Sequence, residues 1–236
     1  MNSLIGRIRD ELKANADEKT LGSGQNFFKD KIILYGVGTP VVNKISREYW
    51  KEVEIFPKKK IFSLCEELLS SKFMEEAFVV SFWLPNMIDR LEPSDISVFK
   101  AWIERYIDNW AKCDSFCNHT VGDLIQKYPI IVFEVKNWAK SNCRWLRRAS
   151  TVSLILPVRK GGFLKEVFEI GDALLREEDD LVQKGFGWLL KEASRTHQEE
   201  VLDYVLRNKM LMPRTTLRYA VELMPKELKT VAMKKK

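Results

Sequence analysis

The feature that most restricts this chain is a recurrence. A short amphipathic helix is followed by a small polar break and then by a second, more apolar helix, several times over. In "KKIFSLCEELLSSKFMEEAFVVSFWLP", Ile61, Phe62, Leu64, Cys65, Leu68 and Leu69 recur at helical spacing. Ser70 and Ser71 then offer a turn and an N-cap, and a second apolar helix is predicted from about Phe73 until Pro85. "SDISVFKAWIERYIDNW" opens on a Ser or Asp cap after Pro93 and keeps Ile96, Phe99, Ile103 and Ile107 on one stripe. "FLKEVFEIGDALLREEDDLVQKGFGWLLKEASRT" reads as helix, acidic break, helix. Strand patterns are weak throughout. The breaks of segments 67–84, 109–125, 137–155 and 174–193 fall near 71, 114, 142 and 179. Those intervals are irregular but surround the roughly 40-residue period of HEAT repeats. The expectation is an all-α chain: an α-solenoid with a concave face, rather than a helical domain without repeats.

Composition narrows the partners. Over 236 residues, 45% are hydrophobic and 31% charged, an ordinary balance for a chain with a substantial core. The formal charge is +6, of which Lys234, Lys235 and Lys236 supply half, so any nucleic-acid site must come from clustering. No signal peptide and no bilayer-spanning run is expected. Cys65, Cys113, Cys117 and Cys143 follow no disulfide pattern, which suits a reducing cytoplasm. Cys113, Cys117 and His119 lack a matching second pair, so buried thiols are expected there and no metal.

Four stretches carry chemistry. In "NWAKCDSFC", Trp110 and Asp114 stand four apart. They are either a functional pair or a core tryptophan closing one helix with an aspartate capping the next. "NWAK" returns at 137–140. In "CRWLRRAS", Arg144, Arg147 and Arg148 share one helix face beside Trp145, and such a cluster of guanidiniums calls for an anion. In "VQKGFGWLLKEAS", Lys184, Trp188 and Lys191 share a face, and Gly185 and Gly187 imply that something approaches that backbone closely. In "GVGTPVVNKISREYW", Thr39-Pro40 reads as N-cap and first helical position, with amides suited to a phosphate and with Lys44 and Arg47 farther along.

Taken in order, "FFKDKIILYGVGTP", "NWAKCDS", "WLRRAS" and "VQKGFGWLLKEAS" resemble the AlkD-type alkylpurine DNA glycosylases over nearly the whole length. The resemblance implies a single domain, 1–236, of about six HEAT-like repeats with a groove for duplex DNA. It implies a monofunctional hydrolase that needs no cofactor and works as a monomer. Such an enzyme releases cationic purines alkylated at N3 or N7 without flipping them into a pocket. The catalytic set it carries over is Asp114, Trp110 and Trp188. Arg148 would bind phosphate, with Arg144, Arg147, Lys184, Lys191, Thr39, Lys44, Arg47 and Phe27 in the DNA interface. The pattern is broken at Phe27, where a tyrosine is common, at Leu156, near an expected lysine, and at Lys191, which replaces an arginine. The alternatives are a DNA-binding paralogue without turnover and a HEAT-repeat scaffold for proteins.

Overall fold

The computed structural model describes residues 3–234. They are helical, with a single isolated bridge between Ile33 and Phe73 and no other strand pairing among the described residues. No described helix is long and apolar enough to cross a membrane. The chain divides into two compact units, one ending at Phe116 and one beginning at Cys117.

The first unit comprises α1 (Leu4–Ala14), α2 (Glu18–Phe27), α3 (Thr39–Val53), α4 (Lys58–Ser70), α5 (Met74–Asn86), α6 (Asp95–Tyr106) and α7 (Trp110–Phe116). Its centre is α5, which packs on α3, α4 and α7. Val79, Val80, Trp83 and Leu84 of α5 are buried, and the Trp83 indole N–H is satisfied by the Ser46 carbonyl at 3.0 Å. Pro85 is tolerated in the last turn of α5. The break expected at Ser70-Ser71 is present, but Ser71 ends α4 rather than capping α5. Its Oγ accepts the Phe73 N–H at 3.2 Å, and Lys72 turns the chain with a left-handed φ of 65°. At the start of α3, Gly38 occupies the cap position and Thr39 is already helical, one residue earlier than the Thr-Pro pattern predicts. The reason is that Val41 and Val42 both donate to the Gly38 carbonyl.

The second unit opens on a π-helical turn, Cys117–Val121. It continues through α8 (Gly122–Lys127), α9 (Val132–Trp138), α10 (Arg144–Val152), α11 (Ile155–Arg159), α12 (Leu164–Leu174), α13 (Asp180–Ala193), α14 (Gln198–Asn208), α15 (Arg214–Ala220) and α16 (Lys226–Met233). Its centre is α13, which packs on α10, α11, α12 and α15. The acidic break before α13 is where it was expected. Asp179 caps the helix, its Oδ1 accepting the N–H groups of Leu181 at 3.0 Å and Val182 at 3.3 Å.

The glycines of "KGFGW" answer a packing need. A Cβ on Gly185 would lie 2.6 Å from Thr151 Oγ1, and one on Gly187 would lie 2.5 Å from Tyr219 Cβ and 2.9 Å from the Thr216 carbonyl. What approaches that backbone is the chain's own α10 and α15.

Candidate active site

The residue just before α7 is Asn109, whose Oδ1 accepts the Lys112 N–H at 3.0 Å. That is the N-cap geometry, and it moves the helix boundary from its predicted place. No break occurs near 114, because Asp114 lies inside α7, in the turn after Trp110, and does not cap a following helix. Four residues apart on one helix, Trp110 and Asp114 share a face, and both are half-buried. The second "NWAK" is a different object. Trp138 closes α9, is buried, and donates its indole N–H to Glu134 at 3.1 Å.

Two groups that sequence reasoning missed hold α7. Lys112 is only 2% exposed. Its Nζ donates to the Lys72 carbonyl at 2.7 Å, just past the end of α4, and pairs with Asp108 at 2.9 Å. An ammonium at a helix C-terminus meets the negative end of the dipole, which compensates its burial. Phe28 covers the Trp110 indole, with ring centroids 5.4 Å apart and 28° between planes, and Phe27 leans on the same ring at 5.7 Å. Phe27 is otherwise exposed, at the end of α2. Trp110, Phe27, Phe28, Phe78 and Thr39 line one cavity of about 430 Å³. Glu75 stands at its wall, with its carboxylate accepting the N–H groups of Tyr35, Gly36 and Val37 at 3.1, 2.9 and 3.0 Å. The loop that leads into Thr39 is thereby fixed from below. Lys44 and Arg47 follow on α3, both exposed.

In the second unit the arginine cluster needs no external anion to exist. Arg144 pairs with Asp179 at 2.8 Å and lies over the Trp145 ring at 5.0 Å. Arg147 pairs with Glu177 at 2.7 Å and donates to the Ser141 and Asn142 carbonyls. Arg148 is buried and donates to the Leu181 carbonyl. Like-charge repulsion within the cluster is therefore already relieved, because carboxylates distant in sequence supply the countercharge.

The face of α13 is likewise self-paired. Lys184 meets Asp180 at 2.7 Å, and Lys191 meets Glu222 at 3.1 Å and faces the Tyr219 ring. Trp188 is half-buried, and its indole N–H reaches Glu192 Oε1 at 3.2 Å. Burial alone would raise the Glu192 carboxyl. Hydrogen bonds from Arg159 and Arg195, with the charge of Arg159 and the Trp188 N–H, outweigh it and bring the group down to about 2. Glu192 was legible in principle, since it stands at i+4 from Trp188 in "WLLKE". Cys113 and Cys117 are buried and His119 is exposed. Among the described residues no cluster of three or more His, Cys, Asp or Glu is placed to hold a metal. Leu156 is half-buried in α11.

The model of a family described as DNA alkylation repair enzymes matches residues 8–224. A predicted DNA alkylation repair enzyme from Enterococcus faecalis has a similar fold, with a TM-score of 0.81 at 16% identity, over 90% of this chain and 98% of that one. The Pseudomonas fluorescens alkylpurine DNA glycosylase AlkC, bound to DNA containing an abasic site analog, superposes with a TM-score of 0.52 at 16% identity. That match covers 97% of this chain and 64% of the other. A comparison with curated proteins found no match.

Proposed function

The chain belongs to the DNA alkylation repair enzyme family, and we propose that within it this protein is an AlkD-type glycosylase. It hydrolyses the N-glycosidic bond of cationic purines alkylated at N3 or N7 in duplex DNA. The observation that carries the reading is Asp114: a half-buried carboxylate inside α7, one turn from Trp110, in a helix whose capping is done by Asn109.

The chemistry favours such a group. N-alkylation leaves the purine positively charged and ready to depart with the bonding pair, which neutralises it. The sugar left behind is oxocarbenium-like, so the transition state is cationic at C1′, and a fixed carboxylate stabilises it more than the ground state. Asp114 also orients a water and takes its proton as the water oxygen bonds to C1′. The electron-rich faces of Trp110 and Trp188 favour nearby cations, by about 0.5–2 kcal/mol each when desolvated. No amine nucleophile enters this sequence, so the product is an abasic site with both strands intact.

DNA binding would draw on two kinds of cation. Arg47 and Lys44 stand in solvent on α3, Lys44 with only a loose pairing to Glu48 at 4.0 Å, so both meet phosphates at little cost. Arg144, Arg147, Lys184 and Lys191 hold carboxylates, which a phosphate must displace, and their contribution is smaller for it. Arg148 is the family's phosphate-binding position, although here its guanidinium is largely enclosed. The test is release of 7-methylguanine from methylated duplex DNA by the wild type and by Asp114→Asn.

A further inference from the structure

Glu192 is 2% exposed in the last turn of α13, and its two oxygens divide their work. Oε2 accepts Arg159 Nε at 2.7 Å and Arg195 Nε at 2.5 Å. Oε1 accepts the Trp188 indole N–H at 3.2 Å. Two guanidiniums on one oxygen hold the carboxylate in a single orientation, which leaves the other oxygen aimed at the indole. Packing alone does not call for this arrangement. Burying a carboxylate carries a desolvation penalty, and an apolar side chain of the same size would often serve stability as well.

The division has a consequence for Trp188. An indole N–H that donates to a charged acceptor is polarised. Electron density moves from the N–H into the ring, whose face then attracts cations more strongly. The same bond fixes the ring's orientation, so little reorganisation is left for the moment at which positive charge develops.

We infer that Glu192 is a positioning residue for base release, acting through the Trp188 indole by orienting it and enriching its face for a cationic sugar and base. The inference rests on the glycosylase reading of the site and adds to it a residue outside the set the family resemblance supplies. Arg159 and Arg195 belong to the device as the groups that keep Glu192 charged and still.

The experiment is a double-substitution cycle. Single-turnover release of 7-methylguanine from duplex DNA is measured for the wild type, Glu192→Gln, Trp188→Phe and the pair. A glutamine turns its oxygen to the arginines and its amide donor to the indole, so the N–H bond is lost while the volume stays. Glu192→Gln is expected to slow release about 3- to 30-fold, the range of one cation–π contact, with unmodified-duplex affinity unchanged. In the Trp188→Phe background the same change should alter the rate by less than about twofold. An equal loss in both backgrounds, or no loss in the wild type, overturns the inference.

A second measurement needs no substituted Glu192 to fold. The Trp188 indole ¹⁵N–H resonance, assigned by its disappearance in Trp188→Phe, should exchange slowly with water in the wild type. Exchange at the rate of a free indole overturns the inference as well. A wild type that releases no base while this resonance is protected overturns the glycosylase reading, and with it the catalytic purpose of the bond. That outcome is distinct from an active wild type whose substitutions fail to couple.

Discussion

Asn109 Oδ1 accepts the backbone N–H of Lys112 at 3.0 Å, and this one bond decides how α7 is read. It assigns the cap to Asn109 and leaves Asp114 with no capping duty. Asn109→Ala should therefore cost about 1 kcal/mol, which for a chain of this size lowers Tm by roughly 2–4 °C. Thermal unfolding followed by circular dichroism checks it, and an unchanged Tm would return the cap to another residue.

The close approach at "KGFGW" makes a sharper prediction, since it opposes helix propensity. Alanine is the better helix former by about 1 kcal/mol. Gly187→Ala should nonetheless destabilise, by about 1–3 kcal/mol, because its Cβ meets the Tyr219 Cβ and the Thr216 carbonyl, neither of which can yield freely. Gly185→Ala should be milder, because the atom met first is a side-chain hydroxyl, Thr151 Oγ1. Urea unfolding of the two variants orders them; a stabilised Gly187→Ala protein would show that α13 and α15 are farther apart than described.

Much of the helical plan was open to a reading of the sequence, and the reasons for the exceptions are physical. Apolar periodicity and the Pro and Asp punctuation locate α4, α5, α6, α12 and α13, because amphipathic spacing and capping are local. The break at 114 was misplaced because Asn109 and Asp114 are both good caps, and only the hydrogen bond chooses between them. The bare arginine cluster misled for another reason. Its countercharges, Glu177 and Asp179, are some thirty residues away, and helix packing alone brings them in. The same holds for Gly185 and Gly187, whose partners are Thr151 and Tyr219. Trp110 and Asp114 were visible as a pair, whereas the buried Lys112 and the covering Phe28 were not, since a lysine gives no local sign of burial.

Acid sensitivity should trace in part to Glu192. Its carboxyl titrates near 2 in the folded protein and near 4.5 in an ordinary setting, so the folded state favours the charged form. The stability this supplies is complete above about pH 4.5 and is lost as pH falls from there towards about 2. Arg159, Arg195 and the Trp188 N–H are the groups that face it. Glu192→Gln should flatten the stability–pH curve across that window, read from urea unfolding at stepped pH. A curve as steep as that of the wild type would mean other carboxylates carry the dependence.

Two classes of basic residue should separate in DNA binding. Lys44→Ala and Arg47→Ala should weaken binding to modified and unmodified duplex alike and lower the salt slope by roughly one each, with Tm unchanged, because both side chains are exposed. Arg148→Ala should weaken binding and also lower Tm, since it removes a buried side chain and the donor to the Leu181 carbonyl. Fluorescence anisotropy across a salt series, paired with thermal melts, measures both. Loss confined to modified DNA would mean that Arg148 reads the lesion.

In the proposed mechanism, Asp114 is the residue on which base release depends most directly. Asp114→Asn preserves the size and shape of the side chain on α7 and removes its charge. Single-turnover release of 7-methylguanine from duplex DNA should then fall by at least about 100-fold, or roughly 2.7 kcal/mol of transition-state stabilisation, while DNA affinity holds or rises slightly. An Asp114→Asn protein that releases the base at the wild-type rate would contradict the catalytic assignment.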